Sequence, residues 1–250
     1  MSYETFTIER DGDGTAVLWI DRPDKLNAMD PTFFAELPEA LAELDADPDV
    51  DVCVLTGRGR AFSAGGDIAS FDALNDVDSY RRHLRLVYDG FHSVERCQVP
   101  VIGAINGIAY GGGTELTLAC DLVVASDQAT FAFREASVGL MPGYGVVRGP
   151  DVIGRHWTRW LALTGDIIDA HEAHRIGLVQ RVVDPDDLLT EARAVAARIR
   201  ANAPLAVRAG KQFINRATGS GFVESVEATA LLFTTDEHKR RIRAFLDRRR

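Results

Sequence analysis

Residues 99–121 read VPVIGAINGIAYGGGTELTLACD, and this order of apolar run, glycine turn and short segment decides the fold class. The apolar run is rich in β-branched residues, which predicts a strand buried on both faces. Gly111 to Gly113 follow, and then Thr114 to Cys120, a segment without glycine or proline that predicts a helix. Because the first N–H groups of a helix have no partner within it, the glycine turn is able to direct donors at a developing negative oxygen.

Glu115 lies one turn into this predicted helix, between Thr114 and Leu116 and close to Leu118. A carboxylate in apolar surroundings is costly to keep charged, so we expect its pKa to be raised. Two interpretations are open at this point. Glu115 is either a functional acid beside a loop of donors, or part of a close helix–strand contact from which its side chain reaches solvent.

Length and composition restrict the class of protein. The chain has 250 residues, 46% of them hydrophobic, which suits one large domain or one domain with an appendage. No apolar run reaches the roughly 20 residues that span a bilayer, and residues 1–10 do not have the pattern of a secretory signal. Three singly placed cysteines predict reduced core thiols, and the net charge of −9 argues against nucleic-acid binding. We therefore expect a cytoplasmic protein with no nucleic-acid and no membrane partner.

The order of predicted elements favours an α/β core followed by a helical appendage. Besides the central run, strands are predicted at 5–9, 15–20, 52–56, 122–125, 130–133 and 178–183. Helices are predicted at 31–44, 78–95, 155–163, 169–176, 184–200, 204–216, 222–233 and 236–247. Pro38 predicts a kink or a break in the first of these helices. We expect residues 1–195 to form the core and residues 196–250 to form the helical appendage.

Several familiar motifs are incomplete in this chain. His171 and His174 are spaced i,i+3 rather than i,i+4, which is not the spacing of a zinc helix. Ser63 lacks the glycine that a nucleophile elbow needs two residues before it, and no dinucleotide or P-loop fingerprint is completed. We therefore expect no metal, no permanently bound cofactor and no covalent nucleophile.

Two glycine loops and two carboxylates, Glu115 and Glu135, remain as candidates for chemistry. Backbone donors in such loops suit an enolate-like oxygen, while carboxylates move protons on the neighbouring carbons. Two carboxylates around one water are able to divide the work and would titrate as a coupled pair.

Four blocks of sequence resemble a known family when they are taken together and in order. They are DRPDKLNAM at 21–29, GRAFSAGGDI at 59–68, NGIAYGGGTEL at 106–116 and EASVGLMPG at 135–143. The family is the crotonase (enoyl-CoA hydratase/isomerase) superfamily, and the resemblance covers nearly the whole chain. It implies a spiral of repeated ββα units with a helical carboxyl-terminal part that makes trimers, often paired into hexamers.

The resemblance also implies a site for an acyl-coenzyme A. The backbone N–H groups of Ala64 and Gly112 would form an oxyanion hole for the thioester carbonyl. Glu115 would activate a water and Glu135 would deliver a proton to C2, so that water adds across the C2–C3 double bond. Coenzyme A would be part of the substrate, and its binding would involve Arg22, Lys25, Ala28, Gly65, Gly66, Asp67, Gly111, Gly143 and Tyr144.

Residues 144–150 depart from the family's pattern, and Tyr144 is expected to fill part of the acyl pocket or to offer a hydroxyl. The leading hypothesis is an enoyl-CoA hydratase. The alternatives are a double-bond isomerase, which needs only one base, or another acyl-CoA reaction of the superfamily. From a different class, the chain could be a catalytically silent oligomeric scaffold or an RNA-binding relative.

Overall fold

The computed structural model describes residues 2–216, 226, 230 and 233–247. The strands are β1 Phe6–Arg10, β2 Thr15–Ile20, β3 Val52–Gly57, β4 Ala61–Ser63, β5 Val101–Ile105, β6 Ile108–Tyr110, β7 Leu122–Ser126, β8 Thr130–Ala132, β9 Ile168–Asp169 and β10 Arg181–Val183. The α-helices are α1 Pro31–Ala46, α2 Val77–Arg96, α3 Gly112–Ala119, α4 Gly145–Val152, α5 Gly154–Thr164, α6 Ala170–Arg175, α7 Leu188–Arg200, α8 Pro204–Arg216 and α9 Asp236–Asp247. Short 3-10 turns occupy Pro23–Lys25, Ile68–Ala73, Glu135–Val138 and Pro185–Asp187.

The strands form two sheets that are built by repetition. One sheet has the order β1-β2-β3-β5-β7-β10, and the other has the order β4-β6-β8-β9. The pairs β3–β5 and β5–β7 are parallel in the first sheet, and β4–β6 and β6–β8 are parallel in the second. Each repeat therefore sends its first strand to the larger sheet and its second strand to the smaller one before the chain turns into a helix. This is the spiral of ββα units that the resemblance implies.

The larger sheet is covered on both faces. Along β3, Cys53 and Leu55 pack into the main core, whereas Val52 and Val54 pack into a second cluster with helix α7. Because side chains alternate between the faces of a strand, a strand buried on both faces is mostly apolar, as the first four residues of β3 and all of β5 are. The apolar run at 101–105 is therefore a central strand, as its composition predicts.

Helix α1 and several short elements differ from the expectation. Helix α1 continues through Pro38 to Ala46, so the expected break is absent. The helix packs on α2 at this level, where Gly90 of α2 allows Phe34 to approach so closely that an added Cβ would lie 2.9 Å from its ring. Packing of this kind holds a helix together where proline removes one hydrogen bond. The sequence also left β4, β6, β9 and α4 unrecognised, because they are short and lie next to glycine turns.

The carboxyl-terminal part is described in sections. Helices α8 and α9 occur at the predicted positions. Of the predicted helix at 222–233, only residues 226, 230 and 233 lie among the described residues, and all three are helical and buried. The basic run at 248–250 lies outside the described residues. Within the described part of the chain, no helix is long and apolar enough to cross a membrane.

Candidate active site

A cavity of about 800 Å³ lies between α2, α3 and the turn that follows β8. Its wall contains both candidate carboxylates, Glu115 and Glu135. Seven residues that the sequence predicts as site residues or as their neighbours in the glycine loops lie there as well, on three separate loops: Ala64, Gly65, Gly66, Gly111, Gly112, Gly143 and Met141. The fold thus brings together side chains and backbone from blocks that are far apart in the sequence.

Helix α3 begins in close contact with the loop after β4. An added Cβ on Gly113 would overlap the carbonyl oxygen of Ser63, so only glycine allows the helix to come this near. Gly111 precedes the helix with φ +52°, a conformation that favours glycine. The result is a helix amino terminus set directly against a second glycine loop.

The backbone donors at this junction differ in their availability. The Ala64 amide donates to the Leu26 carbonyl at 2.9 Å, so this hydrogen is engaged within the protein. Gly112 is the first residue of α3, and its amide has no partner within the helix. The position that a Cβ on Gly112 would occupy lies 3.7 Å from the amide nitrogen of Gly66. Neither the Gly66 nor the Gly112 amide has a hydrogen-bond partner among the described residues.

This arrangement differs from the expectation for the oxyanion hole. The sequence assigned the donors to Ala64 and Gly112, whereas the contact of Ala64 with Leu26 leaves Gly66 as the neighbouring available amide. Both Gly66 and Gly112 line the cavity. The loop is the expected one, and the amide within it that has no partner among the described residues is that of Gly66.

Glu115 is held from one side by backbone amides. Its side chain is almost fully buried, and its Oε1 accepts hydrogen bonds from the amides of Tyr144 at 2.9 Å and Gly145 at 2.8 Å. Burial raises the pKa of Glu115 to about 7, although the two amides, which favour the ionised form, oppose the shift. The interpretation in which Glu115 reaches solvent is therefore wrong.

Glu135 has poorer hydrogen bonding. It begins the 3-10 turn after β8, and its Oε1 lies 2.9 Å from the position that a Cβ on Gly111 would occupy. Its Oε2 is buried and has no hydrogen-bond partner among the described residues. Burial raises the pKa of Glu135 well above its usual value, and the nearby negative charge of Glu115 raises it further. The pKa values of both glutamates are therefore raised, and the two groups titrate as a pair.

Helix α2 supplies the apolar wall of the cavity. The side chains of Leu84, Val87, Tyr88 and Phe91 line it, and these belong to the apolar face that the spacing of the sequence predicts. His83 lines the same wall and was not recognised from the sequence, where it is far from any glycine loop. The position of His83 could have been inferred from the sequence, because His83 directly precedes Leu84, a residue of the apolar face of α2. Burial lowers the pKa of His83 to about 4, so it is neutral at pH 7.

Besides Tyr144, four predicted substrate-binding residues lie outside the cavity wall, namely Arg22, Lys25, Ala28 and Asp67. Arg22 pairs with Asp30 at 2.8 Å and with Asp67 at 3.6 Å, and it donates to the carbonyl of Ala28. Lys25 lies 3.6 Å from Asp67, and its side chain is 63% exposed. The two cations are thus already balanced in part by carboxylates, and of the two, Lys25 is the more accessible.

Tyr144 corrects a further expectation. Its side chain is fully buried, its hydroxyl donates to Glu95 Oε1 at 2.6 Å, and its ring packs 5.0 Å from that of Phe91. It is not among the residues of the cavity wall, so it neither fills the acyl pocket nor offers its hydroxyl there. Its contribution to the site is its backbone amide, which holds Glu115.

Comparison with known proteins agrees with this architecture. A family model described as enoyl-CoA hydratase/isomerase matches residues 10–250. The crotonyl-CoA hydratase of Syntrophomonas wolfei is 38% identical over 100% of this chain and 98% of its own length. The short-chain-enoyl-CoA hydratase of Clostridium acetobutylicum is 35% identical over 100% of this chain and 97% of its own. The solved structure of an enoyl-CoA hydratase/isomerase from Mycobacterium paratuberculosis superposes with a TM-score of 0.89 at 30% identity, covering 98% of this chain and 100% of that one.

Proposed function

The chain belongs to the enoyl-CoA hydratase/isomerase family and is an enzyme of the enoyl-CoA hydratase type, and we propose that it adds water across the C2–C3 double bond of a trans-2-enoyl-CoA through Glu115 and Glu135. The observation that carries this proposal is that two glutamates in one cavity differ in their hydrogen bonding. One is stabilised as a carboxylate by two amides, and the other is buried with an oxygen that has no partner among the described residues.

We assign the oxyanion hole to the amides of Gly66 and Gly112. Two N–H donors at one point stabilise a thioester oxygen more strongly as it becomes an enolate oxygen than in the ground state. The glycines at 65, 66, 111 and 112 leave room for the thioester to approach the backbone. This polarisation makes C3 electrophilic and C2 able to accept a proton.

The two carboxyl groups then divide the proton transfers. Glu115 takes a proton from the water through the oxygen that the amides leave unoccupied, and the water oxygen forms a bond to C3. The electron pair of the double bond moves through C2 to the thioester oxygen, where the two amides bind it. Glu135 gives its proton to C2 as the carbonyl re-forms, and the proton held by Glu115 returns to Glu135 or to solvent before the next turnover.

The coenzyme part of the substrate carries phosphates, and we assign their recognition to Lys25 together with Arg22. Asp67 and Asp30 hold these two side chains in place by ion pairs. The chemistry uses the thioester of the substrate itself, so no permanently bound cofactor is required.

A direct assay of the conjugated absorption band tests the proposal, with crotonyl-CoA as the probe because two relatives are named for short-chain substrates. We expect the band to decay with the wild-type protein. Glu115→Gln and Glu135→Gln should each slow the decay by about 10²–10⁴-fold, which is the usual contribution of a general acid or base. Glu172→Gln on the surface of α6 is the control and should retain full activity. Undiminished activity in either cavity variant contradicts the assignment.

Product analysis in water labelled with heavy oxygen separates hydration from isomerisation. Label enters the product only if water is added, whereas an isomerase shifts the double bond without it. The presence of two glutamates in the cavity favours hydration, since proton shuttling alone needs one base.

We also propose that the protein is a homotrimer or a dimer of trimers. Several large apolar side chains are exposed on or next to α5 and α8, namely Trp160, Leu163, Ile167, Leu205, Phe213 and Ile214. Exposed apolar surface of this extent favours association with another copy of the chain. The division into residues 1–195 and 196–250, like the cytoplasmic location, stays a prediction.

A further inference from the structure

A buried cluster of charges lies behind the cavity and joins α2 to α4. Glu95, near the end of α2, accepts a hydrogen bond from the Tyr144 hydroxyl at 2.6 Å on Oε1 and one from Arg148 Nη2 at 2.6 Å on Oε2. Tyr144 and Arg148 are spaced i,i+4, so both lie on one face of the first turn of α4. The side chain of Arg148 is 6% exposed and that of Glu95 is 12% exposed. A single carboxylate thus fixes this turn relative to α2.

The same turn holds Glu115 on its other side. The amides of Tyr144 and Gly145 both donate to Glu115 Oε1, at 2.9 and 2.8 Å. Tyr144 therefore takes part in both contacts, with its hydroxyl on Glu95 and its amide on Glu115. The first turn of α4 lies between two glutamates, one behind the site and one within it.

We propose that Glu95 and Arg148 are positioning residues for the reaction, and that they act through Tyr144 by holding the first turn of α4 so that its amides orient the Glu115 carboxylate. The proposal rests on the proposed function of Glu115. Neither Glu95 nor Arg148 lines the cavity, and neither touches the reacting atoms.

Orientation matters because only one oxygen of Glu115 is restrained. With Oε1 fixed by two N–H groups, the other oxygen is the one left to accept a proton from water. A looser turn would lengthen both hydrogen bonds and would also weaken the stabilisation that they give to the ionised form. The expected consequence is a slower chemical step with unchanged binding of the thioester, because the amides of Gly66 and Gly112 belong to other elements.

The other titratable and charged groups near Glu115 must be kept constant in the test. On the elements packed around the cavity these are Tyr80, His83 and Glu95 of α2, Arg134 and Glu135 of the turn after β8, and Arg148 of α4. Of the variants below, Tyr144→Phe changes none of these charges. It removes one hydroxyl and leaves the ion pair between Glu95 and Arg148 in place.

The test compares Tyr144→Phe with the wild type in kcat, KM, the pH profile of kcat and the melting temperature. We expect kcat to fall by about 3–10-fold, the size of one weakened hydrogen bond, with KM changed by less than about 2-fold. The acidic limb of the profile should move to higher pH, because Glu115 loses part of the stabilisation of its charge. Glu95→Gln, which keeps the shape of the side chain, should lower kcat by more, and it is compared in kcat and KM alone because it changes one of these charges.

Two control variants separate positioning from general stability. Tyr3→Phe removes a similar hydroxyl–carboxylate bond, the one to Glu43 at 3.0 Å, far from the cavity. Asp121→Asn disturbs the other buried ion pair, in which Asp121 lies 2.6 Å from Lys211. Both controls should lower the melting temperature without moving the pH profile.

The outcomes are distinguishable. If Glu115→Gln is inactive while Tyr144→Phe keeps the wild-type kcat and pH profile, the positioning role is wrong and the proposed function stands. If the controls shift the profile as Tyr144→Phe does, the effect is one of general stability and the positioning role is again wrong. If Glu115→Gln is fully active, the proposed function itself fails.

Discussion

Glu115 and Glu135 are the same type of side chain in one cavity, and their surroundings raise their pKa values for different reasons. Two amides stabilise the charge of Glu115, whose pKa is about 7, whereas burial and the charge of Glu115 raise the pKa of Glu135 well above its usual value. Such a separation assigns the acid and the base of a pair. Because the two groups interact, they titrate as a pair rather than independently.

At the scale of single residues, the first prediction concerns the pH dependence of the reaction. The base must be ionised, so kcat/KM should rise with pH up to about 7, the pKa of Glu115. It should fall again at higher pH, as Glu135 loses the proton that it delivers to C2. Initial rates of loss of the conjugated band between about pH 5 and 10 give this profile. A flat profile over that range would contradict the assignment of acid and base.

The second prediction concerns stability. The pKa of Glu115 in the folded protein lies above the 4.5 of an exposed glutamate, so the folded state retains a proton that the unfolded chain has already released. The contribution of Glu115 to the free energy of unfolding is complete below the pKa of 4.5 of an exposed glutamate, and it is lost as the pH rises to about 7. Glu115→Gln keeps an acceptor oxygen for the two amides and carries no charge. It should therefore raise the melting temperature by at least ~2 °C at about pH 8 and by less at about pH 5.

Thermal unfolding at the two pH values measures this effect. Glu172→Gln, on an exposed helix, should show no such pH-dependent gain. A variant that is less stable than the wild type at the higher pH would mean that the charge of Glu115 is better compensated than its contacts indicate.

At the scale of elements, the site depends on how closely α3 approaches the loop after β4. A Cβ on Gly112 would lie 3.3 Å from Met29 Sδ, a flexible side chain, and 3.7 Å from the Gly66 amide nitrogen. Gly112→Ala should therefore fold but narrow the space between the two proposed donors. We expect kcat/KM to fall by about 10²–10³-fold, the usual cost of losing one oxyanion donor.

Gly103→Ala in β5 is the matched control for this variant. Its Cβ would lie 3.1 Å from Cys120 Sγ, which is a similar degree of crowding against a sulphur atom outside the cavity. Both variants should have a lower melting temperature than the wild type. Only Gly112→Ala should also have a much lower kcat/KM. Equal activity of the two variants would mean that the donors lie elsewhere.

The turn at 141–145 illustrates why an element is hard to interpret from its sequence. Tyr144 is a large aromatic residue next to a predicted acyl pocket, and residue type alone favours a place in that pocket. Its backbone direction instead sends the ring towards Glu95 and Phe91 and leaves the amide facing Glu115. Backbone direction at a turn depends on what the next helix packs against, and here that is α3 and α5.

At the scale of the whole molecule, exposed apolar surface on α8 leads to a prediction about assembly. Phe213 and Ile214 are 69% and 73% exposed in the single chain. The pair of substitutions Phe213→Glu and Ile214→Glu should shift the protein to smaller assemblies, because it removes apolar area and adds like charges to a self-association surface. Light scattering after size exclusion measures the mass.

Gln212→Glu on the same helix is the control, since it adds a charge without removing apolar area. It should leave the mass unchanged. A wild-type protein that is monomeric at all concentrations would contradict the proposed oligomer.

The sequence by itself indicated an α/β core with a helical appendage and singled out the two glutamates, whereas the ββα repeats were implied by the family resemblance. Strand and helix periods, glycine turns and motif spacing are properties of residues that are near one another in the chain, so they can be interpreted without coordinates. The apolar runs at 52–57 and 101–105 became central strands for this reason. The glycine loops that follow β4 and β6 likewise reached one cavity, because these two strands are neighbours in the smaller sheet.

Only the tertiary structure decided which polar groups are available to a substrate and which already make hydrogen bonds or ion pairs within the protein. The Ala64 amide is occupied by Leu26, the Tyr144 hydroxyl by Glu95, and Lys25 lies near Asp67. The raised pKa values of Glu115 and Glu135 have the same origin, since they follow from amides and burial contributed by other elements. The physical reason is that hydrogen-bond partners and desolvation are set by contacts between residues distant in the chain, and no local pattern records them.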